Sequence, residues 1–186
     1  MKARRRRQST RLRRTGRLVF AAALGISDGI LNALTLAAAS VLHGVGLSLR
    51  LSLRVGVVAF VSATVTLFVA EYTQSRLELL RAERQLMFTQ SGRLAATSLG
   101  RAVFRESIIA AAVAGVSSFV GAALPLVIGT LAPRLSWVAL VVSVAALGGL
   151  GVVLGTHVGG RRIAWVVALV LAGIVVTIIG VQVDLV

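Results

Sequence analysis

Apolar residues run almost without interruption through five stretches, at about 18–42, 55–73, 107–131, 135–156 and 163–183. Each is close to the roughly 20 residues that a helix needs to cross the hydrocarbon core of a bilayer. The runs are continuous, not alternating, which excludes the strands of an outer-membrane barrel. They also leave no room for a separate soluble domain. The pattern predicts an all-α integral membrane protein with a tail over 1–17 and transmembrane helices one and two within 18–73. A short helical region follows over 74–106, and helices three to five lie within 107–183. The tail is expected to be disordered until it meets a membrane. Within 74–106 the periodicity predicts an amphipathic helix over about 74–91, a turn at Ser91-Gly92, and a short helix before the third span.

The polar breaks in the apolar runs carry the candidate chemistry. In the first run, LVFAAALGISDGILNALTLAAASVL, the formal charge is Asp28, close to mid-span. A carboxylate there costs about 2.5–3.5 kcal/mol on insertion scales, so its presence needs a use. Asp28, Asn32 and Thr35 follow at i, i+4 and i+7 and share one helix face. They form a polar stripe that faces a partner helix or a water-filled path. Gly25 and Gly29 bracket the acid at GxxxG spacing, which lets another helix come close. Ser62, Thr66 and Thr73 fall near one face of the second run. Such hydroxyls either bond back to their own helix or to a neighbour, or line a polar path. The third run holds Ser117, Ser118, Gly121 and Pro125, and a proline there frees a carbonyl and bends the helix. The fourth holds Gly148, Gly149, Gly151 and Gly155, which reads as close helix packing or a dimer face.

Composition agrees with the pattern: 57% of residues are apolar and the mean hydropathy is +0.93, outside the soluble range. The net charge of +14 would suit nucleic acid, but its placement says otherwise. Of 20 basic residues, nine lie in 1–17, six in 76–105 and two at Arg161 and Arg162, against Arg50, Arg54 and Arg134 in the other two connections. Seventeen against three on alternate sides is the positive-inside pattern. It places the N-terminus in the cytoplasm and the C-terminus outside, in the cell's inner (plasma) membrane. The arginine tail then serves topology and contact with anionic lipid. No aromatic residues interleave the charges as single-strand binding would require, so nucleic acid is not an expected partner.

The chain has no cysteine, hence no disulfide, thiolate site or thiol nucleophile. His43 and His157 sit at helix ends, where a solvated role is the ordinary one. No nucleotide loop, HExxH or serine-histidine-acid set can be placed, so a carrier or structural protein is favoured over an enzyme. At the exit of the second run lie Glu71, Glu78 and Glu83. Glu71 and Glu78 point the same way but stand roughly 10 Å apart at 1.5 Å per residue, too far to chelate one ion. Glu78 and Glu83, among Arg76, Arg81 and Arg84, also read as a solvated, salt-bridged face.

Taken in order, GISDGILNALTLAA, AEYTQSRLELLRAER, SSFVGAALPL and AGIVVTIIG resemble the vacuolar iron transporter family, which includes nodulin-21-like and bacterial members. The resemblance covers about residues 18–182. It implies five spans with a cytoplasmic N-terminus, a homodimer, and export of Fe²⁺ or Mn²⁺ from the cytoplasm in exchange for protons, with no permanently bound cofactor. On that resemblance Asp28 matches the first-span aspartate of the transport path. Glu71 matches the acid of a Gly-Glu-Tyr exit motif, with Ala70 in place of glycine. Glu78 and Glu83 fall where the family begins its metal-collecting cytoplasmic helices. The expected transport path is Asp28, Asn32, Thr35 and Thr66, and the expected metal ligands are Asp28, Glu71, Glu78 and Glu83. A second-span glutamate and methionine of the family appear here as Ala59 and Leu67, and the cytoplasmic insert is short. The alternative is therefore a non-transporting scaffold or partner-binding protein on the same fold.

Overall fold

Long runs of Ala, Leu and Val favour helix once water is absent, because backbone groups must then be satisfied within the segment. A computed structural model describes residues 2–43, 49–85, 98–131, 136–157 and 161–182. They form α1 (Lys2–His43), α2 (Leu49–Gln85), α3 (Ser98–Leu131), α4 (Ser136–His157) and α5 (Arg162–Gln182). No strand occurs among the described residues. All five helices are long and apolar enough to span a membrane, which makes this an all-α, multi-pass membrane protein.

Helix α1 touches each of the other four helices, and α3 packs on α1, α2 and α4. The pair α4–α5 forms a second layer against α1. The core is built from small residues: Ala33, Ala59 and Ala122 meet beside Leu126, and Ala21, Ala110 and Ala114 meet beside Leu67. Lipid tails are as apolar as leucine, so association here depends on close packing rather than on water exclusion. The glycines make that packing possible. A Cβ added at Gly25 or Gly29 would fall on the α3 backbone at Ala114 or Ser118, and one at Gly121 on the α1 backbone at Ile26. The partner helix expected from the GxxxG spacing in α1 is thus α3 of the same chain.

Two local expectations change. The tail is not irregular: the backbone is helical from Lys2, continuous with the first span. Arginine, glutamine and leucine are good helix formers, and extending an existing helix avoids the nucleation cost. Residues 74–85 likewise prolong α2 without a break, and 98–106 are the opening turns of α3. The turn expected at Ser91-Gly92 lies outside the described residues. The close helix packing expected of the α4 glycines is made largely within the chain, against α5. Gly151 meets the α5 backbone at Trp165 and Val166, Gly155 meets Arg162, and Gly148 meets Val166 and Val170, whereas Gly149 meets open space. Pro125 is buried inside α3, which continues beyond it to Leu131.

Candidate functional site

Helices α1, α2 and α3 bring polar groups together at two levels. At the first, Asp28 on α1 is half-buried and accepts a hydrogen bond from Ser118 Oγ of α3, 3.3 Å from Oδ2. The same hydroxyl lies 3.2 Å from the Ala59 carbonyl oxygen of α2. Both separations are long for O–H···O bonds, as befits one proton between two acceptors. Asn32 lies one turn along α1 from Asp28 and is exposed on the outside of the bundle.

Ser118 differs from the membrane hydroxyls that bond within their own helix. Ser27, Thr64, Ser143 and Thr177 each donate to the carbonyl four residues back in their own helix, at 2.6–2.8 Å. That is the usual arrangement for hydroxyls in a helix without competing partners. Ser118, fully buried, instead donates across the bundle. It therefore ties the acid of α1 to both neighbouring helices.

The second level lies eleven residues earlier on α1, three helical turns and roughly 16 Å away. There the Arg17 guanidinium pairs with Glu71 of α2, with Nε 2.8 Å from Oε2 and Nη2 also in contact. Its Nη1 reaches Glu106 of α3 at 3.1 Å, and Nη2 lies 3.5 Å from Ser75 Oγ. Eleven residues is close to a whole number of turns, so Arg17 and Asp28 share one face of α1. Around the arginine is a cleft of about 560 Å³ lined by Leu18, Phe20, Glu71, Gln74, Ser75, Glu78, Glu106, Ile109 and Ala110. Beside it Phe68, Tyr72 and Phe104 form a cluster, with Phe68 stacked on Tyr72 at 5.7 Å and Phe104 edge-on to both.

The expected site residues thus divide. Asp28 and Asn32 stand together. Thr35 shares their face, donates to the Asn32 carbonyl at 2.7 Å, and its backbone packs against Gly180 of α5. Thr66 is exposed on α2, away from this hydrogen-bonded group. Glu71 and Glu78 both line the cleft, in keeping with their shared face. The backbone of Glu83 continues α2, and its side chain lies outside the described residues. Among the described residues no three or more His, Asp or Glu side chains gather as a metal-holding group. A single chain therefore offers one carboxylate at mid-span, with the Asn32 amide beside it.

Sequence reasoning passed over three participants. Arg17 reads as the last member of a topology-setting basic run, and Ser118 as one of many small hydroxyls, while Glu106 stands beside Arg105 just before the third apolar run and draws no notice. A signal existed for Arg17 and Asp28 in their three-turn spacing. Nothing along the chain marks Ser118 as the partner of an acid 90 residues away. No protein-family profile, no curated protein and no solved structure matches the chain.

Proposed function

We propose that this protein carries a divalent transition-metal ion, Fe²⁺ or Mn²⁺, out of the cytoplasm in exchange for protons, as a homodimer in the cell's plasma membrane. The supporting observation is Asp28: a carboxylate held at mid-span by a cross-helix hydroxyl, three turns below a carboxylate-lined cleft on the same three helices. Oxygen donors suit these hard or borderline ions. One carboxylate is too few for an ion that takes six ligands, so a second copy supplies the twin. Exposed polar groups point to where that copy sits. Asn32 on α1 and Ser62 and Thr66 on α2 are exposed at membrane depth, where lipid would leave them unsatisfied. Glu71, Glu78 and Glu83 attract the ion at the cytoplasmic mouth, Asp28 with Asn32 and Thr35 receives it, and protonation of the same carboxylate couples its return. The arginine excess on one side supports a cytoplasmic N-terminus and an external C-terminus. The motif resemblance to vacuolar iron transporters supports the choice of ion.

A second reading, the non-transporting scaffold, is favoured by the environments of Ala59 and Leu67. Ala59 is 1% exposed and packed against core alanines. Leu67 packs on Ala21, Ala110 and Ala114. Both second-span positions are filled with apolar contacts rather than ligands. Metal flux into proteoliposomes separates the readings, with Fe²⁺ and Mn²⁺ run in parallel. The carrier reading expects flux with counter-movement of protons, and loss of both in Asp28→Asn with the dimer intact. Undiminished flux in that variant would sink the mechanism. No flux from folded wild-type dimer would select the scaffold.

A further inference from the structure

Arg17 holds two carboxylates from two other helices, and it does so across open space. Around Gly25, Gly29 and Gly121 the α1–α3 contact is backbone against backbone. At the level of Arg17, α1 instead faces the 560 Å³ cleft, room for on the order of ten waters or more. Near Glu71 and Glu106 along the chain, α2 and α3 are already joined by the Phe68–Tyr72–Phe104 cluster. To this Arg17 adds a polar tie from α1 to both helices. Its placement matters too: Ile109 and Ala110 line the cleft one turn below Glu106, on the side toward Asp28, while Gln74 lies one turn the other way from Glu71.

We propose that Arg17 is a tethered cation that latches α1 across this cleft, its guanidinium bridging Glu71 and Glu106 at the mouth and Ile109 and Ala110 lining the inner end. The geometry suits arginine. A planar fork can serve two carboxylates at once, which a lysine's point charge does less well. The latch is also releasable. Arg17 and Glu71 are 30% and 17% exposed and Glu106 is 53% exposed, so water and salt reach the bridge, and such pairs are weak. As the gate of a carrier this inference rests on the function proposed above, and there the substrate cation would enter by taking the carboxylates from Arg17. As a latch it stands on geometry alone.

The chain lacks cysteine, so a single introduced thiol reports accessibility without background. Ile109→Cys places one under the latch and Gln74→Cys one at the rim. Each is labelled in detergent solution with a charged, water-soluble thiol reagent. In Arg17→Gln the Ile109→Cys thiol should react roughly fivefold faster than with Arg17 present. Gln74→Cys should be unchanged, and Arg17→Lys should fall between. Equal rates at 109 with and without Arg17 would overturn the latch. A parallel rise at both thiols would overturn it too, because that is general loosening by loss of a staple. If Arg17→Gln does not fold, Glu106→Gln and Arg17→Lys decide by the same comparison. Neither labelling result depends on transport, so a failure of Asp28-dependent flux and a failure of the latch are separately visible.

Discussion

A serine hydroxyl has one proton, and at Ser118 two oxygens compete for it. While Asp28 is charged the proton is better spent on the carboxylate, since charge-assisted bonds are about twice as strong as neutral ones. When the carboxylate is neutral or engaged elsewhere, the Ala59 carbonyl is the alternative acceptor. Ser118→Ala removes both bonds and leaves a half-buried carboxylate short of a partner. It should lower stability by about 1–3 kcal/mol, read by thermal unfolding in detergent. Ser107 gives the opposite expectation. It is fully buried, and its hydroxyl has no partner among the described residues. Ser107→Ala should therefore leave the melting temperature unchanged or raise it, and a clear fall would show that the hydroxyl is used. Residues also mark the limit of what is legible along the chain. Asp28 and Glu71 stand out because a charge within an apolar run has a cost. Arg17, Glu106 and Ser118 are commonplace where they stand in the chain, and their roles come from partners on other helices. Pairings of that kind leave no local periodicity to read.

Helix existence follows from hydropathy, and the five helices lie where the apolar runs predict them. Helix ends and joints are less legible, since the same arginine-rich composition suits a solvated coil and an extended helix alike. The glycines show a related ambiguity. GxxxG in α1 and glycine density in α4 both promise a close neighbour, but the spacing does not name it. Here α1 uses α3, and α4 uses α5. A matched pair of variants tests that assignment. Gly149 meets nothing, so Gly149→Ala should keep or raise stability, by up to about 1 kcal/mol on helix preference. Gly151 meets the α5 backbone, so Gly151→Ala should force the helices apart and cost about 1–3 kcal/mol. Equal melting temperatures for the two would remove the α4–α5 contact from the account.

Across the whole molecule the outer faces differ in kind. The exposed residues of α5 that lie between its ends include Ile163, Val167, Leu171, Ile174, Val175, Ile178 and Ile179, a surface suited to lipid. On α2, Ser62 and Thr66 are exposed beside Val58, Val61 and Val65, a mixed surface that a second copy would satisfy better. Val65→Cys should form a disulfide-linked dimer under mild oxidation, and Ile174→Cys should not. The reverse result would move the second copy to α5 and leave Asp28 without a twin.

One further consequence follows from α1 being a single unbroken rod. Its 42 residues make a shaft of roughly 63 Å. The tightest bearing on that shaft is the stretch from Gly25 to Gly29, pressed against α3, and Asp28 sits inside it. The shaft is thus a lever with the acid at the fulcrum. The basic arm, from Lys2 to the bearing, is roughly 36 Å long. A tilt of about 10° would sweep its tip through roughly 6 Å and shift Arg17 by about 2–3 Å, enough to part a hydrogen bond, while the carboxylate hardly moves. Force on the charged tip would then be felt at the Arg17 bridge while the Asp28 carboxylate stays aligned.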